Sequence, residues 1–266
     1  MNVSAPSEAG DLSRRLPNPQ SVKIAAVPSL RTLLKSMVPA SVRELRYTVR
    51  DQMERNRLAR IPPQQAFTEI YERSLWGDRP GFDSGPGSRD RFTVPYAEVV
   101  IESVIRRYGL ETLSDVGCGD FEAGRKFLPY LRQYNGLDVV PSLIAFHQKQ
   151  AGSEIASFQV LDATRERVPA ADFCTIRQVL QHLSHDEILA VLENCSHIPY
   201  LVITEHLYVG PGSVPNKNIK RGMRTRSDEK SGVFLELPPF NRKAETILEL
   251  PYSEGTVLRT SLVKQI

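Results

Sequence analysis

The chain has 266 residues, 41% of them apolar, and a formal net charge of +3. That length and apolar fraction suit one main domain with an appendage and exclude a wholly disordered chain. The charge is too slight to demand nucleic acid, and no nucleic-acid partner is expected.

Cys118, Cys174 and Cys195 lack metal-ligand spacing and read as reduced intracellular thiols. No metal is expected, and the location is expected to be cytoplasmic. The first 16 residues carry no apolar run of the secretory kind, and no segment is long enough to cross a bilayer.

Residues 1–28 are polar and read as an arm. Leu30, Leu33, Leu34, Met37 and Val38 precede a break at Pro39, and Ser41 is placed to cap a helix over 42–61. Leu45, Val49, Met53 and Leu58 line one side of it; Arg43, Arg46, Arg50, Arg55, Arg57 and Arg60 fill the others. Two readings stand. The helix either contacts an acidic partner or the anionic inner face of a membrane, or it is an ordinary solvated helix packed on the domain. Residues 1–61 thus form an N-terminal helical extension.

Residues 62–95 form the next unit. Phe67, Ile70, Tyr71 and Leu75 recur at helical spacing, with Trp76 closing the helix and Gly77 ending it. Ser84-Gly85-Pro86-Gly87-Ser88 follows, either as a plain linker or as a lid over whatever binds downstream.

From residue 96 strands and helices alternate: a helix over 96–108, a strand over 112–117, a helix over 122–130, a strand over 135–140, a helix over 141–150, and strands over 157–161 and 172–176. Ser184 and Glu187 make a capping box for the next helix, and a strand over 200–204 runs into Glu205-His206. A late hairpin, 245–250 with 256–263, turns over 251–255. This is the α/β class: a mostly parallel sheet covered on both faces, with an antiparallel edge strand from the C-terminal hairpin.

Ligands in such sheets bind outside the carboxyl ends of the strands. Those ends carry Asp115, Gly117 and Gly119; Asp138; Asp162 with Ala163; Arg177 and Gln178, with His182 a turn later; and Glu205 with His206. Glycines at a strand-to-helix turn let a ligand approach the backbone. Asp115 can accept from an ammonium. Asp138, about 20 residues beyond the glycine turn, is placed to accept both hydroxyls of a ribose. Asp162 and the Ala163 N–H suit an adenine edge.

In this order and spacing, Asp115-Val-Gly-Cys-Gly119, Asp138 and Asp162-Ala163 resemble the class I S-adenosylmethionine-dependent methyltransferases. The resemblance implies a Rossmann-like three-layer sandwich with a seven-stranded sheet, and S-adenosyl-L-methionine as cofactor. It assigns the methionine part to Asp115, Gly117 and Gly119, the ribose to Asp138, the adenine to Asp162 and Ala163, and a place beside the methyl group to Gln178. Phe121 stands where the family has a third glycine.

The Phe67-to-Ser88 segment and the Gln178-to-Ser184 run are similar to a bacterial subgroup associated with cell-surface or exported glycans, such as the nodulation-factor fucose O-methyltransferases. This implies a glycan or small-molecule acceptor methylated on a sugar hydroxyl. A hydroxyl nucleophile needs a base, and His182 and His206 are the candidates, with His147 and His197 read as structural.

Leu237-Pro238-Pro239-Phe240-Asn241 resembles a motif of nitrogen methylation but lies far from the strand after which that motif belongs. Lys217, Lys220, Arg221, Arg224 and Arg226 form a basic loop, either gripping the acceptor or simply solvated. Two rivals remain: a nicotinamide-dependent oxidoreductase or epimerase, and a non-catalytic binding module.

Overall fold

The computed structural model describes residues 52–265. The arm, the apolar stretch over 29–38 and positions 42–51 of the basic helix lie outside the described residues. Residues 52–58 are helical. There Leu58 is buried, Arg55 reaches Glu229 at 3.5 Å, and Arg57 is bound by Glu54 and Glu69. These two arginines are engaged by the protein's own carboxylates.

Helix α1 (Pro63–Glu72) buries Ala66 and Ile70. It ends four residues before Trp76, because Ser74 adopts a left-handed φ of 50° and the Leu75 N–H closes back on the Ile70 carbonyl at 3.0 Å. That left-handed reversal, rather than Gly77, stops the helix. Helix α2 (Asp90–Val100) starts earlier than the periodicity suggests and continues as a wider turn over Ile101–Arg106.

Seven strands follow: β1 (Thr112–Val116), β2 (Gln133–Asp138), β3 (Ala156–Val160), β4 (Phe173–Arg177), β5 (Tyr200–Tyr208), β6 (Ala244–Ser253) and β7 (Thr256–Lys264). Their order is β3-β2-β1-β4-β5-β7-β6. β1 to β5 are mutually parallel, and the C-terminal hairpin supplies the antiparallel part, with β7 against β5 and β6 outermost. Helices α3 (Pro141–Ala151) and α4 (His185–Asn194) complete the layers. Ser184 caps α4 in a capping box with Glu187.

The expected helix over 122–130 is absent. Two 3₁₀ turns, Gly124–Lys126 and Leu128–Tyr130, replace it. Pro129 lacks the N–H a helix interior needs, and Gly124 is a poor helix former.

Strand alternation sorts the core into two faces. Leu113, Tyr134, Phe173 and Val202 point to the face covered by α2 and α3. Val116, Leu137, Ile176 and Ile203 point to the face covered by α4. By the same alternation Asp115, Asp138, Arg177 and His206 belong to the first face, and Glu205 to the second.

Candidate active site

The turn after β1 is shaped by two glycines in the left-handed region, Gly117 at φ +70° and Gly119 at φ +51°. The Gly117 and Cys118 N–H groups donate to the Leu137 carbonyl at 2.8 and 3.0 Å, which ties the turn to β2. A Cβ on Gly119 would fall 2.5 Å from Ser84 Oγ, so this position needs glycine. Phe121, in place of the family's third glycine, holds φ +62° and packs its ring on Tyr134, His147 and Phe158. Its burial offsets a backbone cost of about 1–2 kcal/mol for a side chain in that region.

Asp115 accepts the Tyr134 and Thr175 hydroxyls, each at 2.6 Å. Asp138 accepts the Gly119 N–H at 3.3 Å and the Val140 N–H at 3.1 Å. Both carboxyls are buried, and burial raises their pKa above the usual carboxylate range, to about 6 for Asp138. A carboxylate offers about four lone-pair sites, so each keeps acceptor capacity. Asp162 accepts from the Thr164 N–H and hydroxyl at 3.0 and 2.6 Å, an Asx turn that fixes the chain beside Ala163.

The Ser84–Ser88 segment is fastened over the glycine turn at both ends. Ser84 Oγ accepts the Asp120 N–H at 2.9 Å and pairs with the Tyr71 hydroxyl at 2.9 Å. The Gly87 carbonyl accepts from Arg177 Nη2 at 2.6 Å. Upstream, Asp83 takes both Nη groups of Arg89 at 2.8 and 2.9 Å, which holds its carboxyl well below the usual range. Gly77 makes room for that carboxylate, since a Cβ there would lie 2.0 Å from Asp83 Oδ2. Pro86, Gly87 and Ser88 line the cavity.

At the end of β4, Gln178 adopts φ +58° and sets its side-chain amide against Gly87. The two candidate bases differ sharply. His182 has both ring nitrogens engaged: Nδ1 lies 3.2 Å from the Arg224 carbonyl, to which it donates, and Nε2 lies 3.2 Å from the Gln181 amide nitrogen. Its ring rests on Trp76 at 5.1 Å. His206 Nδ1 lies 3.1 Å from Ser227 Oγ, while its buried Nε2 has no partner. Burial lowers both histidines to about 4, so both are neutral at pH 7. His147, read as structural, bonds the Gly119 carbonyl through Nε2 at 2.7 Å.

Glu205, beside His206 in sequence, points the other way. It accepts the Leu180 and Gln181 N–H groups at 2.9 and 2.8 Å, and burial raises it to about 8. It braces the post-β4 turn and does not line the cavity.

The basic loop is not solvated as a whole: Arg226, Arg221 and Lys217 are tied to the protein itself. Arg226 is fully buried and donates to the Lys217, Leu180 and Leu183 carbonyls. Arg221 binds Glu187 and the Ala59 and Ile61 carbonyls, and Lys217 pairs with Glu229 at 2.6 Å. No residue of the Leu237–Asn241 run lines the cavity, and Phe240 is buried in the core under α4.

One cavity spans the carboxyl ends of all five parallel strands, with about 230 Å³ open to the centre of a water molecule. Asp115, Gly117, Gly119, Asp138, Asp162, Ala163, Gln178, His182 and His206 all line it. So do Tyr71, Gln181 and Tyr252, which the sequence reading did not assign, and Arg177, which it placed at a strand end without a role. Gln181 matters through both neighbours, since its Oε1 accepts the His206 N–H at 3.0 Å. Tyr71 was hidden by its apolar spacing on α1. Tyr252 arrives from β6, too distant in sequence to be foreseen. Among the described residues no cluster of His, Cys, Asp and Glu is arranged to hold a metal, and no helix is long and apolar enough to cross a membrane.

No protein-family model and no curated protein matches the chain. Solved structures do. The N-methyltransferase NodS from Bradyrhizobium japonicum, in complex with S-adenosyl-L-homocysteine, is 15% identical with a TM-score of 0.53, over 75% of this chain and 98% of that one. A SAM-dependent methyltransferase from Anabaena variabilis is 13% identical with a TM-score of 0.51, over 77% and 96%. Magnesium protoporphyrin IX methyltransferase from Synechocystis, with bound S-adenosyl-L-homocysteine, is 13% identical with a TM-score of 0.51, over 76% and 97%. With the strand order above, the chain has the fold of the class I S-adenosylmethionine-dependent methyltransferases.

Proposed function

We propose that this chain is an S-adenosyl-L-methionine-dependent methyltransferase acting on a sugar hydroxyl of a glycan or related small molecule, with His206 taking the proton. The observation that carries the reading is the collection of two buried carboxylates, the glycine turn and the Asp162-Ala163 corner around one cavity of this fold.

The donor set fits that cofactor. Asp115 and Asp138 hold acceptor capacity their protein partners do not use, toward an ammonium and a ribose diol respectively. Asp162 and Ala163 would meet the adenine edge. When bound, the cofactor supplies a methyl group on a sulfonium sulfur, open to in-line displacement by an acceptor oxygen.

The chain's own work is alignment, water exclusion and proton removal. The Ser84–Ser88 segment closes the cavity from above. Trp76, Tyr71 and Tyr252 give it aromatic walls, which suit the apolar faces of a sugar ring. With the Nδ1 proton donated to Ser227, the buried His206 Nε2 keeps a lone pair that no described residue engages. His182, satisfied at both nitrogens, instead supports Trp76 and Gln181.

The test is incubation of the full chain with methyl-labelled S-adenosylmethionine and a panel of glycans, small phenols, lipids, proteins and RNA. Label is expected in a glycan, and S-adenosyl-L-homocysteine is expected to raise Tm in a concentration-dependent way. Label confined to protein or RNA would overturn the acceptor, and stabilisation by NAD alone would overturn the cofactor.

A further inference from the structure

Arg177 ends β4 and lines the cavity. Its register partner on β5 is Thr204, and His206 follows two residues along on the same face. One Nη donates to the Gly87 carbonyl, the Nε has no partner, and the guanidinium lies 5.2 Å from the Tyr96 ring centroid.

Among the described residues no carboxylate lies within ion-pair distance of Arg177. The two whose fields reach it most directly, Asp120 and Asp115, are held by other donors and neither pairs with it directly. Asp115 holds two hydroxyls, and Asp120 accepts the Ser84 and Glu122 N–H groups at 3.2 Å each. Burial pulls the Arg177 pKa down, yet a guanidinium keeps its charge at pH 7.

A second cation, the exposed Arg91, lies outside the cavity lining and is joined to it through a chain of rings. Arg91 lies 4.3 Å over the Phe92 ring; Phe92 stacks on Tyr252 at 5.0 Å, and Tyr252 contacts the His206 ring at 4.3 Å. Arg91 has no ion pair among the described residues, whereas the nearby Arg89 is neutralised by Asp83. Arg177 thus lines the cavity with a charge that no direct ion pair among the described residues neutralises. A cation drawn out of water with no carboxylate paired to it is costly, and a planar guanidinium is well shaped to take a carboxylate or phosphate in its fork.

We infer that the acceptor carries an anionic group, a carboxylate or a phosphate, close to the hydroxyl that is methylated, and that Arg177 receives it. This rests on the methyltransferase reading above.

The test uses the full chain saturated with S-adenosyl-L-homocysteine and titrated with glucuronate, glucose 6-phosphate and glucose. At least one anionic sugar is expected to bind tenfold or more tighter than glucose. Arg177→Gln is expected to erase that preference, and Arg177→Lys, which keeps the charge and a donor for the Gly87 carbonyl, to retain part of it.

Equal response of the unaltered chain to all three sugars, absence of response included, overturns the inference without any variant. The alternative occupant of Arg177 is the donor's own carboxylate. Arg177→Gln would then weaken S-adenosyl-L-homocysteine, spare 5′-methylthioadenosine, which lacks that carboxylate, and leave sugar preference intact; this result overturns the inference too. Failure of the unaltered chain to bind S-adenosyl-L-homocysteine at all would strike the cofactor reading instead, so the two failures are distinct.

Discussion

Asp138→Ala is expected to abolish donor binding at working concentrations while leaving the protein folded. Asp138 is buried at the end of β2 and is the acceptor we propose for two ribose hydroxyls. A hydrogen bond to a charged group contributes about 1.5–3 kcal/mol, so losing two costs about 3–6 kcal/mol. That is about 10²- to 10⁴-fold in affinity. Titration calorimetry with S-adenosyl-L-homocysteine reads the loss, and a thermal melt checks the fold. Stability should not collapse, because the substitution also removes a carboxyl whose ionisation burial opposes. An Asp138→Ala protein that binds the donor normally would remove the ribose from this site.

The same group sets a pH dependence. Burial puts Asp138 at about 6 in the free protein. Accepting two hydroxyl donors favours its ionised form, so its pKa falls in the complex and binding releases a proton. Donor affinity should be flat above about pH 6 and should drop below it, by up to about tenfold per pH unit.

His206→Ala is the second large effect. It is expected to lower kcat by about 10²- to 10⁴-fold, the usual worth of a positioned base, with donor affinity unchanged. His206 titrates at about 4 because it is buried, with the nearby Asp228 opposing the shift. It is therefore neutral across the range in which Asp138 titrates, and the acid limb of kcat should lie well below that of donor affinity. His182→Ala is the contrast. With both ring nitrogens engaged and Trp76 resting on its ring, it should lower Tm as well as rate. Steady-state kinetics of the two variants beside their melts separates the roles. Equal rates for His206→Ala and the unaltered protein would take the base assignment away from position 206.

What could be read beforehand was local. The glycine turn, Asp138 and Asp162 sit at strand ends whose spacing follows from one βαβ unit after another. Ser184 and Glu187 are three residues apart, and the capping box needs nothing else. What escaped depended on distant partners. β5 runs on to Tyr208 because nine residues of β7 pair with it. Glu205 is tolerated inside because two backbone N–H groups from the post-β4 turn receive it. Read as a rim residue beside His206, it belongs to the opposite face by strand alternation.

The same holds for Arg226, which as one of five basic residues suggested a charged surface and instead ties three carbonyls in the interior. The Ser84–Ser88 segment left two readings open because its fastening depends on Tyr71, Asp120 and Arg177, contributed by three separate elements. The 122–130 segment failed for a local reason that was available, Pro129 inside the expected helix.

A crystal structure of the full chain grown with S-adenosyl-L-homocysteine is the most direct test of a cofactor held across the ends of β1, β2 and β3. The predicted result is ribose hydroxyls on the Asp138 carboxylate, adenine at Asp162 and Ala163, and the amino group toward Asp115. Density for the ligand elsewhere on the molecule, with this cavity filled only by water, would contradict it.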